Sequence, residues 1–275
     1  MPEAPDLEVV KDVLLRHVVG RRVVAARVLR STVLRPMVNP DFAGDMARRR
    51  IEGVSRRGKF LLLTLSDDRI LVVHPMLTGG LELCPPSRKV LKKVCFVLSL
   101  DNKEDLRYFD DTQMGQVYAI RADQLDAVPR WAEQGPDVLD EPLSFEQFVA
   151  RLRKFPGEIK GTLSRGVFVG GIGNAYADEI LFAAGVHPFK KRRALSDAEL
   201  HRVREASYRV PREALAVLRE RVGEDIHLKV RDFLKVHGKG DERCPQCSGA
   251  ITTISANDRL TNYCRHCQPG LLIRM

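Results

Sequence analysis

The sequence predicts an α+β multidomain chain: an N-terminal β-sandwich headed by one helix, a helical middle, and a C-terminal β-hairpin held by a metal. Three observations predict it. Residues 1–125 are crowded with short alternating or β-branched runs, residues 141–235 carry helical periodicity and capping signals, and residues 236–275 carry a C-x2-C-x16-C-x2-C array. Strand-rich and helix-rich segments that follow one another build separate layers around separate cores.

Leu7–Val19 reads as one amphipathic helix, with apolar residues at 7, 10, 14 and 18. Strands are expected at Val23–Leu29, Ile51–Arg57, Phe60–Leu65, Ile70–His74, Val94–Leu100, Leu106–Phe109 and Gln116–Ile120. Turn signals at Ser66–Asp68, Thr78–Gly80 and Asp101–Asn102 divide them. Residues 126–140 turn rich in Pro, Gly and acidic residues, which predicts a linker. Helices follow at Ser144–Phe155, with a Ser cap, at Ala175–Ala184 after a glycine-rich turn, and at Ser196–Tyr208, opened by the capping box Ser196-Asp-Ala-Glu199. Pro211 fits the first turn of a further helix, Arg212–Val222. The expected domains are thus 1–125, a linker 126–140, 141–235 and 236–275.

The 275 residues include no apolar run near twenty, which predicts no membrane span. The net charge of +9 and pI near 9.4 favour a polyanionic partner, since each neutralised phosphate releases counterions. One Trp and five Tyr argue against a single-strand stacking platform. Cys244, Cys247, Cys264 and Cys267 form two knuckles one hairpin apart, spaced to set four thiolates around one structural Zn²⁺. A disulfide pair is the competing reading. The paired CxxC spacing and the lack of a secretory apolar segment favour metal. Cys84 and Cys95 read as packing residues.

Four further motifs bear on chemistry. Removal of Met1 before Pro2 would expose a secondary amine of pKa roughly 8, nucleophilic near neutral pH, with Glu3 beside it as acid or base. An ordinary frayed terminus is the competing reading. Gly170-Gly-Ile-Gly173-Asn174 precedes a helix, so Asn174 reads as its N-cap or as a phosphate donor. Lys59 opens a strand after Arg56-Arg57-Gly58. The loop His74–Gly80 offers Met76 and Leu77, apolar tips of the kind that can wedge into a base stack.

Taken together and in this order, these pieces resemble the formamidopyrimidine-DNA glycosylase / endonuclease VIII family. The likeness runs nearly the full length, through Pro2–Glu8, Arg56–Leu63, His74–Gly79, Leu106–Asp110, Val169–Pro188 and Arg259–Cys264. It implies a sandwich carrying a catalytic N-terminal helix, a helix-two-turn-helix domain and a zinc-finger hairpin, with damaged double-stranded DNA between the two domains. By that likeness Pro2 attacks C1′ of the damaged nucleotide, Glu3 handles protons at the sugar, and Lys59 meets a backbone phosphate. Lys160, Asn174 and Arg259 match residues that approach DNA phosphates.

The sequence departs from its relatives in three places. The formamidopyrimidine branch carries Asp-Pro-Arg-Arg-Phe-Gly where this chain has Asp110-Asp111-Thr112-Gln113-Met114-Gly115. The arginine that reads the orphaned base and the phenylalanine wedge are both replaced. Gln113 is then expected to bond a base edge, and Leu77, helped by Met76 or Met114, to enter the stack. Val222–Lys239 is short where that branch has a cover for oxidised purines, which shifts the expectation to oxidised pyrimidines, ring-opened lesions or abasic sites. Asp6 stands where relatives usually have Glu.

The expected function is a bifunctional DNA glycosylase and abasic-site lyase of base-excision repair. An abasic-site lyase with little glycosylase activity and a non-catalytic damaged-DNA binder are the alternatives. A monomer in the bacterial cytoplasm is expected.

Overall fold

A computed structural model describes residues 1–256 and 259–270, and these form two compact units. One comprises Met1–Glu133 with Val217–Lys229, the other Gln134–Ala216 with Val230 onward. No described helix is long and apolar enough to cross a membrane.

The first unit opens with α1, Ala4–His17. It starts three residues earlier than the periodicity alone suggests, because Glu3 is its N-cap and Pro5 sits in the first turn, where its missing N–H costs nothing. The Glu3 N–H donates to Asp6 Oδ2 at 2.7 Å, so the shorter Asp6 still closes the helix start. Two sheets follow. One is antiparallel, in the order β1 (Val23–Val28), β7 (Val94–Leu100), β8 (Asp105–Phe109), β6 (Gly80–Cys84). The other runs β2 (Leu34–Pro36), β9 (Gln116–Arg121), β5 (Arg69–His74), β4 (Phe60–Leu65), β3 (Ile51–Arg57), with β2 parallel to β9.

Alternation assigns each strand face. Leu61 and Leu63 of β4 join Leu71 and Val73 of β5, and Phe96, Leu98 and Tyr108 from the opposite sheet, in the sandwich core. Phe60 and Leu62 point the other way, with Ile70, Val72, Tyr118 and Ile120. Val128 and Trp131, within the predicted linker, pack onto that outer face. This is why β4 reads as a continuous apolar run: both of its faces are covered. Truncating fully buried Leu63 to Ala would cost about 2–5 kcal/mol. No sequence signal marks β2, β6 or the short helix α2 (Phe42–Met46). Each is only three to five residues long, too short to display a period.

In the second unit, α3 (Phe145–Leu152) has the predicted capping box: Ser144 Oγ accepts from the Gln147 N–H, and Gln147 Oε1 accepts from the Ser144 N–H. Next come α4 (Ile159–Leu163) and α5 (Asn174–Ala184). Gly185 ends α5 in the left-handed region, φ 64°, which a glycine adopts at no steric cost. The long helix α6 spans Asp197–Val222 without a break, its residues up to Ala216 in this unit and the rest in the first, so the two helices expected around Pro211 are one. Proline removes one backbone donor in mid-helix. The Arg212 guanidinium donates to the neighbouring Tyr208 carbonyl at 3.1 Å. The hairpin β10 (Ile251–Ala256) and β11 (Arg259–Cys264) closes the unit. The sequence Ser255-Ala-Asn-Asp258 predicts the turn between them, and two of its residues, 257 and 258, lie outside the described residues.

Candidate functional site

In the first unit, Pro2 and Glu3 are buried at the head of α1. The helix packs on β3 and β4. Arg56, near the end of β3, grips Glu8 at 2.6 Å, and Glu8 also pairs with Lys11. Lys59 follows Arg56 by three residues, after a turn whose Gly58 takes φ 59°. Lys59 is buried. His74 closes β5 with its ring edge-on to Phe60, centroids 4.7 Å apart. Burial, then the charges of Lys59 and Arg130, hold His74 down to about 4, so its imidazole is neutral at physiological pH. The positive charge here thus belongs to the lysine and arginines.

Two loops leave this sandwich. One is 75–79, carrying Met76 and Leu77; the other is 110–115, carrying Gln113 and Met114. Leu77 and Met114 are each 48% exposed. Asp110 is completely buried beneath them and bonded to both loops.

In the second unit, Asn174 is the first residue of α5 and Gly173 is the N-cap, one residue earlier than expected. The Asn174 amide donates to the Leu260 carbonyl at 2.7 Å, on the zinc hairpin. Lys160 is only 7% exposed. Its amine lies 2.7 Å from Asp178 Oδ1 and donates to Leu260 O and Thr261 Oγ1, both at 2.8 Å. Asp178 Oδ2 meets His237 Nδ1 at 2.8 Å and accepts the Asn262 N–H at 3.2 Å. Its neighbour Glu179 accepts three backbone N–H groups, from Lys235, Val236 and His237, at 2.8–2.9 Å. One turn of α5 therefore fixes both the 235–237 segment and the hairpin. Sequence reasoning missed this pair of carboxylates. The available signal was two adjacent acids inside the apolar run Ala175–Ala184. The Arg259 side chain lies outside the described residues.

The four cysteines converge, with all four Sγ within 4.8 Å of one another. Cys244 and Cys267 are 3.7 Å apart, Cys247 and Cys264 3.4 Å. A zinc tetrahedron with bonds of about 2.3 Å has S···S edges near ~3.8 Å, so the donor set fits one structural Zn²⁺ and none of the four is in a disulfide. Buried Gln268 accepts the Cys264 N–H at 3.0 Å and donates to the Val186 carbonyl at 2.9 Å, tying the second knuckle to the turn after α5.

Known proteins share this arrangement. The formamidopyrimidine-DNA glycosylase N-terminal domain matches residues 1–117, the H2TH domain of the same proteins matches 134–224, and the zinc finger found in FPG and IleRS matches 241–270. The formamidopyrimidine-DNA glycosylase of Symbiobacterium thermophilum is 32% identical over 98% of this chain and 90% of its own. That of Listeria innocua is 33% identical over 98% of this chain and all of its own. A crystal structure of Lactococcus lactis Fpg with an abasic site containing DNA superposes with a TM-score of 0.88 at 26% identity, covering 98% of this chain and all of that one. A mutant of the same enzyme with Fapy-dG containing DNA gives 0.85 at 25% identity over the same coverage. With three successive domain matches and relatives aligned end to end, the chain belongs to the formamidopyrimidine-DNA glycosylase / endonuclease VIII family.

Proposed function

We propose that this DNA glycosylase and abasic-site lyase of base-excision repair favours oxidised pyrimidine-type bases and acts through the amine of Pro2. With Met1 removed, the Pro2 nitrogen attacks C1′, and the C1′–N bond electrons leave with the base, which takes up a proton. Loss of the proline N–H proton leaves an aminal, and cleavage of the C1′–O4′ bond, with Glu3 delivering a proton to O4′, opens the sugar ring and gives the iminium. The iminium acidifies the C2′ protons, Glu3 moves protons at the sugar, and the 3′ and then the 5′ phosphate leave in β and δ steps. Lys59 holds a lesion phosphate. Asn174 and Arg259 hold phosphates on the other unit, while Lys160 acts from inside by fixing the hairpin on which Arg259 lies. The observation that carries the reading is the burial of Pro2 and Glu3 on a helix clamped, through Glu8 and Arg56, to the strand that leads to Lys59.

Two features support the pyrimidine preference. Gly223–Val236 contains no helix or strand that could fold over a purine, and the 110–115 loop lacks the arginine and phenylalanine of the purine-acting branch.

The test is borohydride trapping on duplex DNA with one abasic site, using protein shown by mass to begin at Pro2. A covalent complex that Pro2→Gly abolishes is the expected result. No complex from protein that binds the DNA sinks the amine mechanism. A cleavage panel of oxidised pyrimidines against 8-oxoguanine and formamidopyrimidine lesions then tests the preference. Faster purine release would overturn it.

A further inference from the structure

We infer that Asp110, Thr78 and Thr112 form a latch that joins the 75–79 and 110–115 loops into one rigid probe, and that Thr112 is a positioning residue rather than a reader of the opposite base. The inference rests on the reading of these loops as the part that enters the DNA stack.

The latch is drawn from both loops at once. The Thr78 hydroxyl donates to Asp110 Oδ1 and lies 2.7 Å from the Thr112 hydroxyl. The Thr112 N–H reaches Thr78 Oγ1 at 3.0 Å and Asp110 Oδ1 at 3.2 Å, and the Thr112 hydroxyl reaches the same carboxylate oxygen at 3.2 Å. Asp110 Oδ2 accepts the Gly115 N–H at 2.7 Å, so one buried carboxylate closes its own loop and grips the other. Hydrogen bonds to a buried carboxylate are stronger than those between neutral groups.

A second observation places both loops on one footing. The Tyr108 ring is fully buried, and its hydroxyl has no hydrogen-bond partner among the described residues. A Cβ built on Gly79 would lie 2.3 Å from that hydroxyl, and one on Gly115 1.9 Å. Only glycines let the two backbones converge there. Above it, Met76 and Gln113 both take left-handed φ, 51° and 54°. Such backbones persist where the surroundings over-determine them. The result is a pre-ordered base carrying exposed Leu77 and Met114. Ordering a loop before binding spares that entropy at the moment of insertion.

The consequence for specificity is particular to this chain. Thr112 stands where the formamidopyrimidine branch has an arginine, yet its hydroxyl is turned into the latch. Gln113 occupies the other arginine position of that motif, so opposite-base reading falls to Gln113.

The test is stopped-flow fluorescence on a duplex with a tetrahydrofuran abasic analogue beside 2-aminopurine, opposite each of the four bases. Thr112 is exposed, so Thr112→Val is expected to fold. It should slow the insertion phase about tenfold, the cost of one hydrogen bond to a carboxylate, and Thr112→Ser should restore it to within about twofold. The rank order of opposite bases should not change. Leu77→Ala and Met114→Ala report on the loops themselves. If they slow insertion and Thr112→Val does not, or if Ser fails to rescue, the latch is wrong while the probe reading stands. If neither set slows it, the probe reading fails. A changed rank order in Thr112→Val would make Thr112 a base reader and overturn its positioning role.

Discussion

Replacing Asp178 by Asn or Ala should uncouple the zinc hairpin from the helix that carries it. Asp178 is fully buried, and Lys160 is nearly so. Their 2.7 Å approach is an ion pair held by charge rather than by a well-aligned hydrogen bond. Removing the charge strands the Lys160 ammonium against Leu260 O and Thr261 Oγ1, and alanine also strips an acceptor from the Asn262 N–H and from His237. Breaking one side of a buried pair typically costs about 3–5 kcal/mol, because the surviving charge has no water. The exposed pair Arg209–Glu213, at 2.9 Å on α6, should yield only about 0.3–0.5 kcal/mol to the same treatment. Urea unfolding followed by far-UV circular dichroism gives the stability change. The rate of zinc transfer to a chromogenic chelator reports the hairpin locally. Asp178→Asn should lower stability by several kcal/mol and speed zinc release. Lys160→Met combined with Asp178→Leu should recover most of the loss, since an apolar pair of similar volume leaves no stranded charge. A cost below about 1 kcal/mol for Asp178→Asn, or a double variant worse than the single, would refute the reasoning.

Three more outcomes follow from particular groups. His74 is held at about 4 against an ordinary 6.5, so the unfolded chain binds the extra proton between those values and stability falls as pH drops. Relative to His74→Gln, the native protein should lose about 2 kcal/mol between pH 8 and pH 5 in urea unfolding, and parallel pH profiles would contradict the burial. Metal analysis should find one zinc per chain, and exhaustive chelation should melt the β10–β11 hairpin and weaken DNA binding, whereas unchanged binding would contradict the role of the hairpin. Gly115→Ala drives a methyl against the Tyr108 hydroxyl and Asp110 and should cost about 1–3 kcal/mol in thermal or urea unfolding, with a neutral result showing that the loop can yield.

Much of this protein is legible in one dimension because its signals are local. The short apolar, β-branched runs Phe60–Leu65 and Val94–Leu100, the capping boxes at Ser144 and Ser196, and the two cysteine knuckles each depend on residues a few positions apart. The family pattern at Pro2, Lys59 and Val169–Pro188 is likewise a matter of order and identity along the chain. Pro211 shows where local rules stop. Its expected helix boundary is absent, since tertiary packing of α6 outweighs one lost backbone bond.

The sequence by itself determined the layered sandwich, the helical domain, the zinc ligands and the family. Only the tertiary structure decided which polar residues face inward. Asp110 binds Thr78 across 32 positions, Lys160 reaches Thr261 across 101, and Glu179 collects amides 56 to 58 residues away. No spacing rule foretells such pairs. They exist because a buried carboxylate or ammonium must find partners wherever the fold brings donors and acceptors, and the fold sets those meetings only once its apolar cores have closed.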